Sequence, residues 1–174
     1  MANHLRNFTL NDPIFADTNI FVYHQGAHPD FGPDCQDFLD RVERGGVQAL
    51  TTDVVINEAT YIIQIQRAAN LLGTLNRSII QARMATDGVL AVECWLAAKR
   101  FLNLLDALQH GGLTVIDVEL PHYRDACTVG RQFQLFVSDA THIVICQQLG
   151  IEHIASNDAD FDRIPFLTRW EPGA

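Results

Sequence analysis

Three aspartates stand within five residues near the end of the chain, at Asp158, Asp160 and Asp162 in the stretch ASNDADFDRIP. Carboxylates this close together repel one another, so a cation or contact with solvent must offset the repulsion. A calcium-binding EF-hand loop requires glycine and glutamate where this chain has Arg163 and Arg169. The pattern excludes an EF-hand and leaves two alternatives, a metal-binding turn and a solvated acidic turn.

Three more acidic residues occupy positions that favour chemistry. Asp17 ends the apolar stretch PIFAD, Glu58 continues an apolar stripe of a helix, and Asp139 lies in a first helical turn on the side of Ile143. A lone buried carboxylate is costly unless it has a partner or a cation. Each position also has an ordinary explanation: Asp17 as a helix N-cap, Glu58 at the rim of its stripe, and Asp139 facing the helix dipole.

The elements that must position these residues alternate along a chain of 174 residues, about the length of one domain. We predict strands over 13–17, 47–52, 113–118, 151–156 and, as an edge strand, 166–170. We predict helices over 18–25, 34–46, 53–70, 74–86, 89–112, 121–133 and 138–150. The alternation predicts an α/β fold in a single domain over 1–174, a three-layer α/β/α arrangement with a central, mostly parallel sheet.

Two helices carry more specific predictions. The helix over 89–112 is apolar on most of its surface, so we expect it to be buried on most sides. The helix over 138–150 is predicted to begin with Ser138 as its N-cap and to end at Gly150.

This fold would bring the four acidic positions together. Asp17 and Asp158 directly follow strands, and Glu58 and Asp139 lie near the starts of helices that follow strands. Ligands of parallel sheets bind beyond the carboxyl ends of the strands. The four carboxylates are therefore predicted to meet at one edge of the sheet, and four independent ordinary explanations describe that coincidence less well.

Carboxylate oxygens suit Mg²⁺ or Mn²⁺ and not zinc. Four such groups could hold one ion, or two ions about 4 Å apart, the geometry for in-line attack on a phosphodiester. One ion lowers the pKa of a water molecule, and charge on the leaving oxygen is stabilised by that ion or by a second one. The sequence has no GxSxG element and no phosphate-binding P-loop that would indicate another mechanism.

Composition narrows the function further. The net charge of −9 argues against a broad, non-specific nucleic-acid clamp, and Lys99 is the single lysine. The four cysteines form no CxxC pair, which argues against a zinc site. No apolar run reaches the roughly 18 residues of a membrane span, and the N-terminal stretch MANHLRNFTLNDP has no secretory apolar region. We therefore expect a cytoplasmic protein that does not act on membranes.

Four stretches in order resemble the PIN domain, and most closely its VapC-like toxin ribonucleases: IFADTNIFVY, VINEATYII, SDATHIVICQQLG and IASNDADFDRIP. The resemblance covers a core of residues 13 to about 167. It implies a divalent-metal-dependent endoribonuclease that cuts single-stranded RNA. In the toxin branch it also implies inhibition by a small antitoxin protein and frequent homodimers.

The resemblance assigns roles residue by residue. The metal-binding and catalytic acids would be Asp17, Glu58, Asp139 and Asp158, with Asp160 as a less essential metal ligand and Asn19 and Ser156 as polar supporting residues. Serine at 156 departs from the commoner threonine. The tail before Pro13 and the helical region 74–112 exceed a compact toxin, which leaves partner and substrate choice open.

Three nearby residues have competing interpretations. Because the surface is acidic, RNA must be held locally, and Arg163 is a candidate contact, with an ion pair to Asp160 or Asp162 as the alternative. Asp162 matches no functional position, and we interpret it as a surface or capping residue. For His142 we favour a partly buried histidine with its hydrogen bonds satisfied, over a contact with the site or substrate.

Two other functions compete with the nuclease. The first is a catalytically silent PIN-fold module that binds RNA or protein, which the presence of all four acids argues against. The second is a phosphatase of the haloacid dehalogenase type with Asp17 as nucleophile. That chemistry requires a second aspartate at the position of Asn19, so we place it last.

Overall fold

The computed structural model describes residues 3–9 and 11–173. Within these ranges the strands are β1 (Asn3–His4), β2 (Ile14–Ala16), β3 (Ala49–Thr52), β4 (Leu113–Ile116), β5 (His153–Ala155) and β6 (Thr168–Glu171). The α-helices are α1 (Thr18–Gln25), α2 (Gly32–Glu43), α3 (Asp53–Leu72), α4 (Arg77–Thr86), α5 (Gly88–His110), α6 (Leu120–Phe133) and α7 (Val137–Leu149). Short 3-10 helices cover Leu5–Asn7 and Ala159–Arg163.

The strands form one sheet in the order β1-β6-β5-β2-β3-β4, and every described pairing is parallel. The chain moves outward from β2 through β3 to β4 and then returns across the sheet to β5. Because parallel crossovers are right-handed, α1 to α5 cover one face and α6 and α7 cover the other. The contacts agree, since α3 packs on α5 and on α1 while α6 packs on α7. The predicted three-layer α/β/α fold is confirmed.

Connections leave β2 and β5 in opposite directions although the two strands are neighbours. This is the topological switch point of the sheet, where the loops after the two strands diverge and leave a crevice. The three residues of β2 are fully buried, so the chain becomes polar only where this strand ends, at Asp17. The fold therefore concentrates polar side chains at the crevice.

The prediction that the strand over 166–170 lies at an edge of the sheet is wrong. β6 lies inside the sheet, because β1 pairs with it on the outer side through Asn3 and Trp170. β1 has only two residues, both polar and exposed, so no apolar pattern announces it. Side-chain bonds fasten this segment: Arg41 donates to the carbonyl oxygens of Leu5 and Phe8.

The prediction that the helix over 89–112 is buried on most sides is also wrong. One stripe of α5, including Phe101, packs on the core, whereas Val92 and Trp95 on the outer side are 59% and 60% exposed. Apolar composition alone does not tell which side of a helix meets the core. Although α5 is apolar, no helix of the described residues has the length and apolarity needed to span a membrane.

The start of α7 differs by one residue from its prediction. The helix begins at Val137 after Phe136, so Ser138 lies inside the first turn and is not the N-cap. Gly150 ends the helix as predicted, with the left-handed φ of 67° that favours glycine. The shift leaves Asp139 in the first turn, where its carboxylate faces the positive end of the helix dipole.

Candidate active site at the switch point

The crevice begins where β2 and β5 end side by side. Ala16 lies opposite Ala155, and the next residues along the two strands are Asp17 and Ser156. The Asp17 amide donates to the Ala155 carbonyl oxygen at 3.1 Å. The parallel pairing thus carries both polar residues into the same crevice at one level of the sheet.

Asp17 is the most confined carboxylate of the crevice, with 6% of its surface exposed. Its Oδ1 accepts a hydrogen bond from the Thr18 amide at 2.7 Å, so Asp17 is the N-cap of α1. Its Oδ2 accepts from Ser156 Oγ at 2.6 Å and from Asn19 Nδ2 at 2.5 Å. The capping interpretation is correct but incomplete, because one oxygen caps the helix while the other lies in a polar network.

Asn19 and Ser156 join that network to the loop after β5. Asn19 Nδ2 donates to Ser156 Oγ at 3.0 Å, and Asn19 Oδ1 accepts from the Asn157 amide at 3.0 Å. Ser156 Oγ also accepts from the Asp158 amide at 3.0 Å. The two side chains therefore fix the position of Asp17 relative to Asp158.

Glu58 is held by a contact that the sequence analysis missed. Thr18 Oγ1 donates to Glu58 Oε2 at 2.9 Å, which joins the start of α1 to α3. Glu58 is half-buried, so it neither lies in the core nor extends freely into water. The two residues are 40 positions apart in the chain, so no local pattern indicated this contact.

Asp139 enters the crevice from the opposite face of the sheet. Partial burial raises its pKa to about 6, assisted by the negative charges of Asp158, Glu58 and Asp160. Burial likewise raises the pKa of Asp17 to about 7, with smaller contributions from Asp139 and Glu58. Asp139 therefore lies within electrostatic range of Glu58 and Asp158, and Asp17 lies within range of Asp139 and Glu58. The four acids approach one another at this edge of the sheet.

The acidic turn divides into residues that face the crevice and one that does not. Asp158 is exposed and caps the following 3-10 helix by accepting from the Asp160 amide at 2.8 Å. Asp160 forms an ion pair with Arg163, with Oδ2 and Nη2 separated by 2.8 Å. The alternative interpretation of Arg163 as an ion-pair partner is thus confirmed.

Asp162 is more than the surface or capping residue that we predicted. It receives two hydrogen bonds from the Arg169 guanidinium, at 2.7 and 3.0 Å. Arg169 is only 7% exposed and also pairs with Glu171 at 2.8 Å. Because a buried guanidinium needs partners, Asp162 stabilises β6 behind the turn and takes no part in the crevice.

The PIN domain family model matches residues 14–167, which is most of the chain. The chain belongs to the PIN domain family. The resemblance predicted from four short stretches is therefore confirmed for the family. A comparison with curated proteins finds no significant match.

Two solved structures share the PIN fold with this chain. One is VapBC2 from Rickettsia felis, bound to a DNA fragment from the VapBC2 promoter, with a TM-score of 0.53 and 16% sequence identity. The alignment covers 91% of this chain and 98% of that chain. VapC20 from Mycobacterium tuberculosis, a sarcin-ricin loop cleaving toxin, has a TM-score of 0.56 at 13% identity, covering 89% of this chain and 97% of that chain. At these identities the similarity shows a shared fold.

The chemistry of the crevice fits a hard cation. Its carboxylates are supported by an amide and a hydroxyl, and Arg163 is paired with Asp160 at its edge. Within the described residues, no thiolate or accessible imidazole joins them. Oxygen ligands of this kind suit Mg²⁺ or Mn²⁺. Among residues 3–9 and 11–173, no three His, Cys, Asp or Glu side chains lie close enough to form a ready-made metal group. Asp17, Glu58, Asp139 and Asp158, with Asp160 beside them, are the residues of this PIN domain that could hold such an ion.

His142 lies beneath the crevice of the PIN domain and does not enter it. It is 1% exposed, and its ring centroid is 5.0 Å from that of Phe15 in β2. Burial lowers its pKa to about 4, so the ring stays neutral. Within the described residues Nδ1 has no hydrogen-bond partner. The favoured prediction of a partly buried, satisfied histidine is therefore wrong, and a substrate contact is excluded by burial.

The raised pKa of Asp17 predicts how stability depends on pH. The folded chain binds the Asp17 proton up to about 7, whereas the unfolded chain releases it near 3.8. Between these values the folded state binds more protons, so this group favours folding at the acidic end and that contribution is lost as pH rises. In EDTA, the free energy of unfolding of the wild-type protein minus that of Asp17→Asn should decrease as pH rises through this window. Urea unfolding at several pH values measures this difference in the free energy of unfolding. A difference that is constant or rises with pH contradicts a raised pKa at Asp17.

Proposed function

We propose that this PIN domain is a divalent-metal-dependent endoribonuclease that hydrolyses phosphodiester bonds of single-stranded RNA. The observation that carries the proposal is the convergence of four carboxylates from both sides of the sheet at its switch point, where the pKa of Asp17 rises to about 7 and that of Asp139 to about 6. Membership of the PIN family supports it, as does the fold shared with a toxin that cleaves the sarcin-ricin loop.

Each acidic residue of the crevice has a definite task in this proposal. Asp17, Glu58, Asp139 and Asp158 bind one or two Mg²⁺ or Mn²⁺ ions, and Asp160 assists. When bound, such an ion supplies a water of lowered pKa as nucleophile and offsets charge on the phosphodiester. Asp17 and Asp139, whose pKa values are raised mainly by burial, would be held in their ionised forms by a bound cation.

The supporting residues keep the acids in place while charge changes nearby. Ser156 and Asn19 hold one oxygen of Asp17, and Thr18 holds Glu58. Such contacts preorganise a charged site, so little rearrangement is needed during reaction. Arg163 binds a phosphate oxygen of the RNA in this proposal, and it must then exchange its partner Asp160 for the substrate.

The test is cleavage of a labelled single-stranded RNA by the wild-type protein with Mn²⁺, with Mg²⁺ and with EDTA. Cleavage that requires either metal and spares the same sequence as a duplex is expected. Cleavage that persists in EDTA contradicts the metal requirement. The absence of cleavage on several RNAs contradicts the nuclease and favours a catalytically silent PIN-fold module that binds RNA or protein.

We further propose that the protein is the toxin of a toxin–antitoxin pair, held inactive by a small antitoxin and able to form a homodimer. The fold shared with VapBC2 supports the antitoxin partner. The outer side of α5 supports contacts with another protein, because Trp95 is 60% exposed there beside the exposed Val92 and Leu96. Together these side chains form an apolar surface. We assign protein contacts to this side of α5.

Expression in a bacterial host tests the toxin proposal. Wild-type protein without a partner is expected to arrest growth, because cleavage of cellular RNA stops protein synthesis. Asp17→Asn should be harmless at the same expression level, which separates catalysis from the burden of expression. Unimpaired growth with the wild-type protein, shown to be folded and to cut RNA in vitro, points to a nuclease that is not a toxin.

A further inference from the structure

An open cavity of about 270 Å³ lies beside the acidic crevice, between the end of α1, the loop after it and the last turns of α3. Its walls include Tyr23, His28 and Leu75, and two amide side chains, Gln66 and Asn70, also line it. Sites for drug-sized ligands span about 300–1,000 Å³, so this volume suits a single flat heterocycle. The lining combines aromatic faces with groups that both donate and accept hydrogen bonds.

The two aromatic residues of the cavity wall, Tyr23 and His28, pack with Phe31 behind them in one cluster. The ring centroid of Tyr23 is 4.9 Å from that of His28 and 5.0 Å from that of Phe31, and His28 stacks on Phe31 at 4.8 Å. All three side chains are half-buried, so the cluster is supported from behind and reaches the surface. A supported aromatic surface is what stacks the bases of single-stranded nucleic acids, whatever their sequence.

The hydrogen bonds of His28 define which atom it offers. Its Nδ1 accepts from the amides of Asp30 and Phe31, both at 3.3 Å. A neutral imidazole that accepts at Nδ1 carries its proton on Nε2, which is then a donor. With the amides of Gln66 and Asn70, the cavity offers polar atoms that can pair with the edge of a base.

The cavity is joined to the acidic crevice by consecutive hydrogen bonds. The side chain of Asn157 donates from Nδ2 to Tyr23 Oη at 3.2 Å. Its backbone N–H donates to Asn19 Oδ1 at 3.0 Å. Asn19 in turn donates to Asp17. Along α3, Gln66 lies eight residues beyond Glu58, or about 12 Å at the rise of an α-helix. A strand whose phosphate lies at the carboxylates can therefore place a neighbouring base in the cavity.

We propose that this cavity binds one base of the RNA strand next to the phosphodiester that is cut, stacked on the Tyr23 and His28 cluster and contacted by Gln66 and Asn70. The inference rests on the proposed nuclease function. It also accounts for RNA binding by a chain with a net charge of −9. Stacking needs no positive surface, so affinity comes from the base and not from a basic patch.

The experiment is binding of a fluorescein-labelled single-stranded oligoribonucleotide, measured by anisotropy in EDTA so that nothing is cut. Tyr23→Ala should weaken binding about tenfold, as loss of a stacking partner does. Leu75→Ala and Gln66→Ala should weaken it in the same direction. Leu75 is 90% exposed and Gln66 is exposed, so these two variants keep the fold even if Tyr23→Ala does not.

Two controls separate base binding from general effects. Tyr123→Ala removes an exposed tyrosine of α6, distant from the cavity in the chain, and should bind as the wild type does. An abasic oligomer of the same length should bind weakly to the wild type and equally to all variants. Equal affinity of the wild type for the abasic and the normal oligomer overturns the proposal, as does unchanged binding by folded Leu75→Ala and Gln66→Ala.

The result also distinguishes this inference from the proposed nuclease activity. If the wild-type protein cuts RNA but the cavity variants bind and cut normally, the base site is wrong and the nuclease stands. If no RNA is cut but the cavity variants lose affinity for normal RNA only, the base site stands and the nuclease is wrong.

Discussion

Asp17→Asn is expected to lower metal-dependent cleavage of single-stranded RNA at least about a hundredfold, the loss typical of removing one group that stabilises transition-state charge. Asparagine has nearly the same size and is itself a favourable N-cap, so it can still accept from the Thr18 amide and start α1. What it loses is the negative charge that attracts a cation. The measurement is the initial cleavage rate with Mn²⁺ under saturating substrate.

The fold must be checked beside the rate, because Asp17 is buried. Removing a carboxylate whose pKa is raised to about 7 should leave the free energy of unfolding in EDTA unchanged or higher at neutral pH. Asp125→Asn is a matched control, since Asp125 is an exposed aspartate of α6 outside the crevice. It should cleave at the wild-type rate. Full activity in folded Asp17→Asn removes this residue from the mechanism.

Saturating Mn²⁺ or Mg²⁺ is expected to raise the melting temperature of the wild-type protein by several degrees. An ion bound only by the folded state at a hundred times its dissociation constant adds about 2.7 kcal/mol, and about 2–4 °C accompanies each kcal/mol in a chain of this size. The physical cause is the attraction between the cation and the carboxylates, which offsets the repulsion of the carboxylates for one another. Thermal unfolding followed by circular dichroism measures the shift against EDTA.

The position of the stabilising ion is tested by the same measurement on variants. Asp139→Asn should lose most of the shift, because Asp139 lies among the charges of Asp158, Glu58 and Asp160. Asp125→Asn should keep it. An equal shift in wild type and Asp139→Asn places the stabilising ion outside the crevice, and the absence of any shift in the wild type contradicts a cation site.

Much of the site could be predicted because strand ends are visible in the sequence. Asp17 and Asp158 follow apolar stretches that match buried strands, and the rule for parallel sheets then places them together. Their supporting residues Asn19 and Ser156 followed from the family resemblance, and their bonds to Asp17 agree with it. Local pattern therefore predicts which residues reach the crevice.

Contacts between distant segments could not be predicted in the same way. The bond from Thr18 to Glu58 depends on how α1 and α3 approach each other, which no local spacing encodes. The pairing of Asp162 with Arg169 could be predicted only if β6 were known to lie inside the sheet. The strand that covers β6 is β1, which has too few residues to show an alternating hydrophobic pattern.

The exposed side of α5 and the burial of His142 could not be predicted from the sequence for the same reason. An apolar helix is compatible with a buried position and with a surface that meets a partner, and the sequence does not separate the two. His142 lies three residues after Asp139, and that spacing made a contact with the site conceivable. The structure instead places its ring against Phe15, beneath the crevice. In both cases the direction of the side chain is set by tertiary packing.

The anomalous scattering of Mn²⁺ in a crystal of the wild-type protein would show directly whether the four acids bind a metal ion. We expect a strong peak at the switch point of the sheet, about 2.1 Å from carboxylate oxygens that include Asp17. Asp139, Glu58 or Asp158 should supply the other protein ligands. Peaks confined to exposed carboxylates elsewhere, with none at the crevice, would contradict a metal-dependent site built from these four acids.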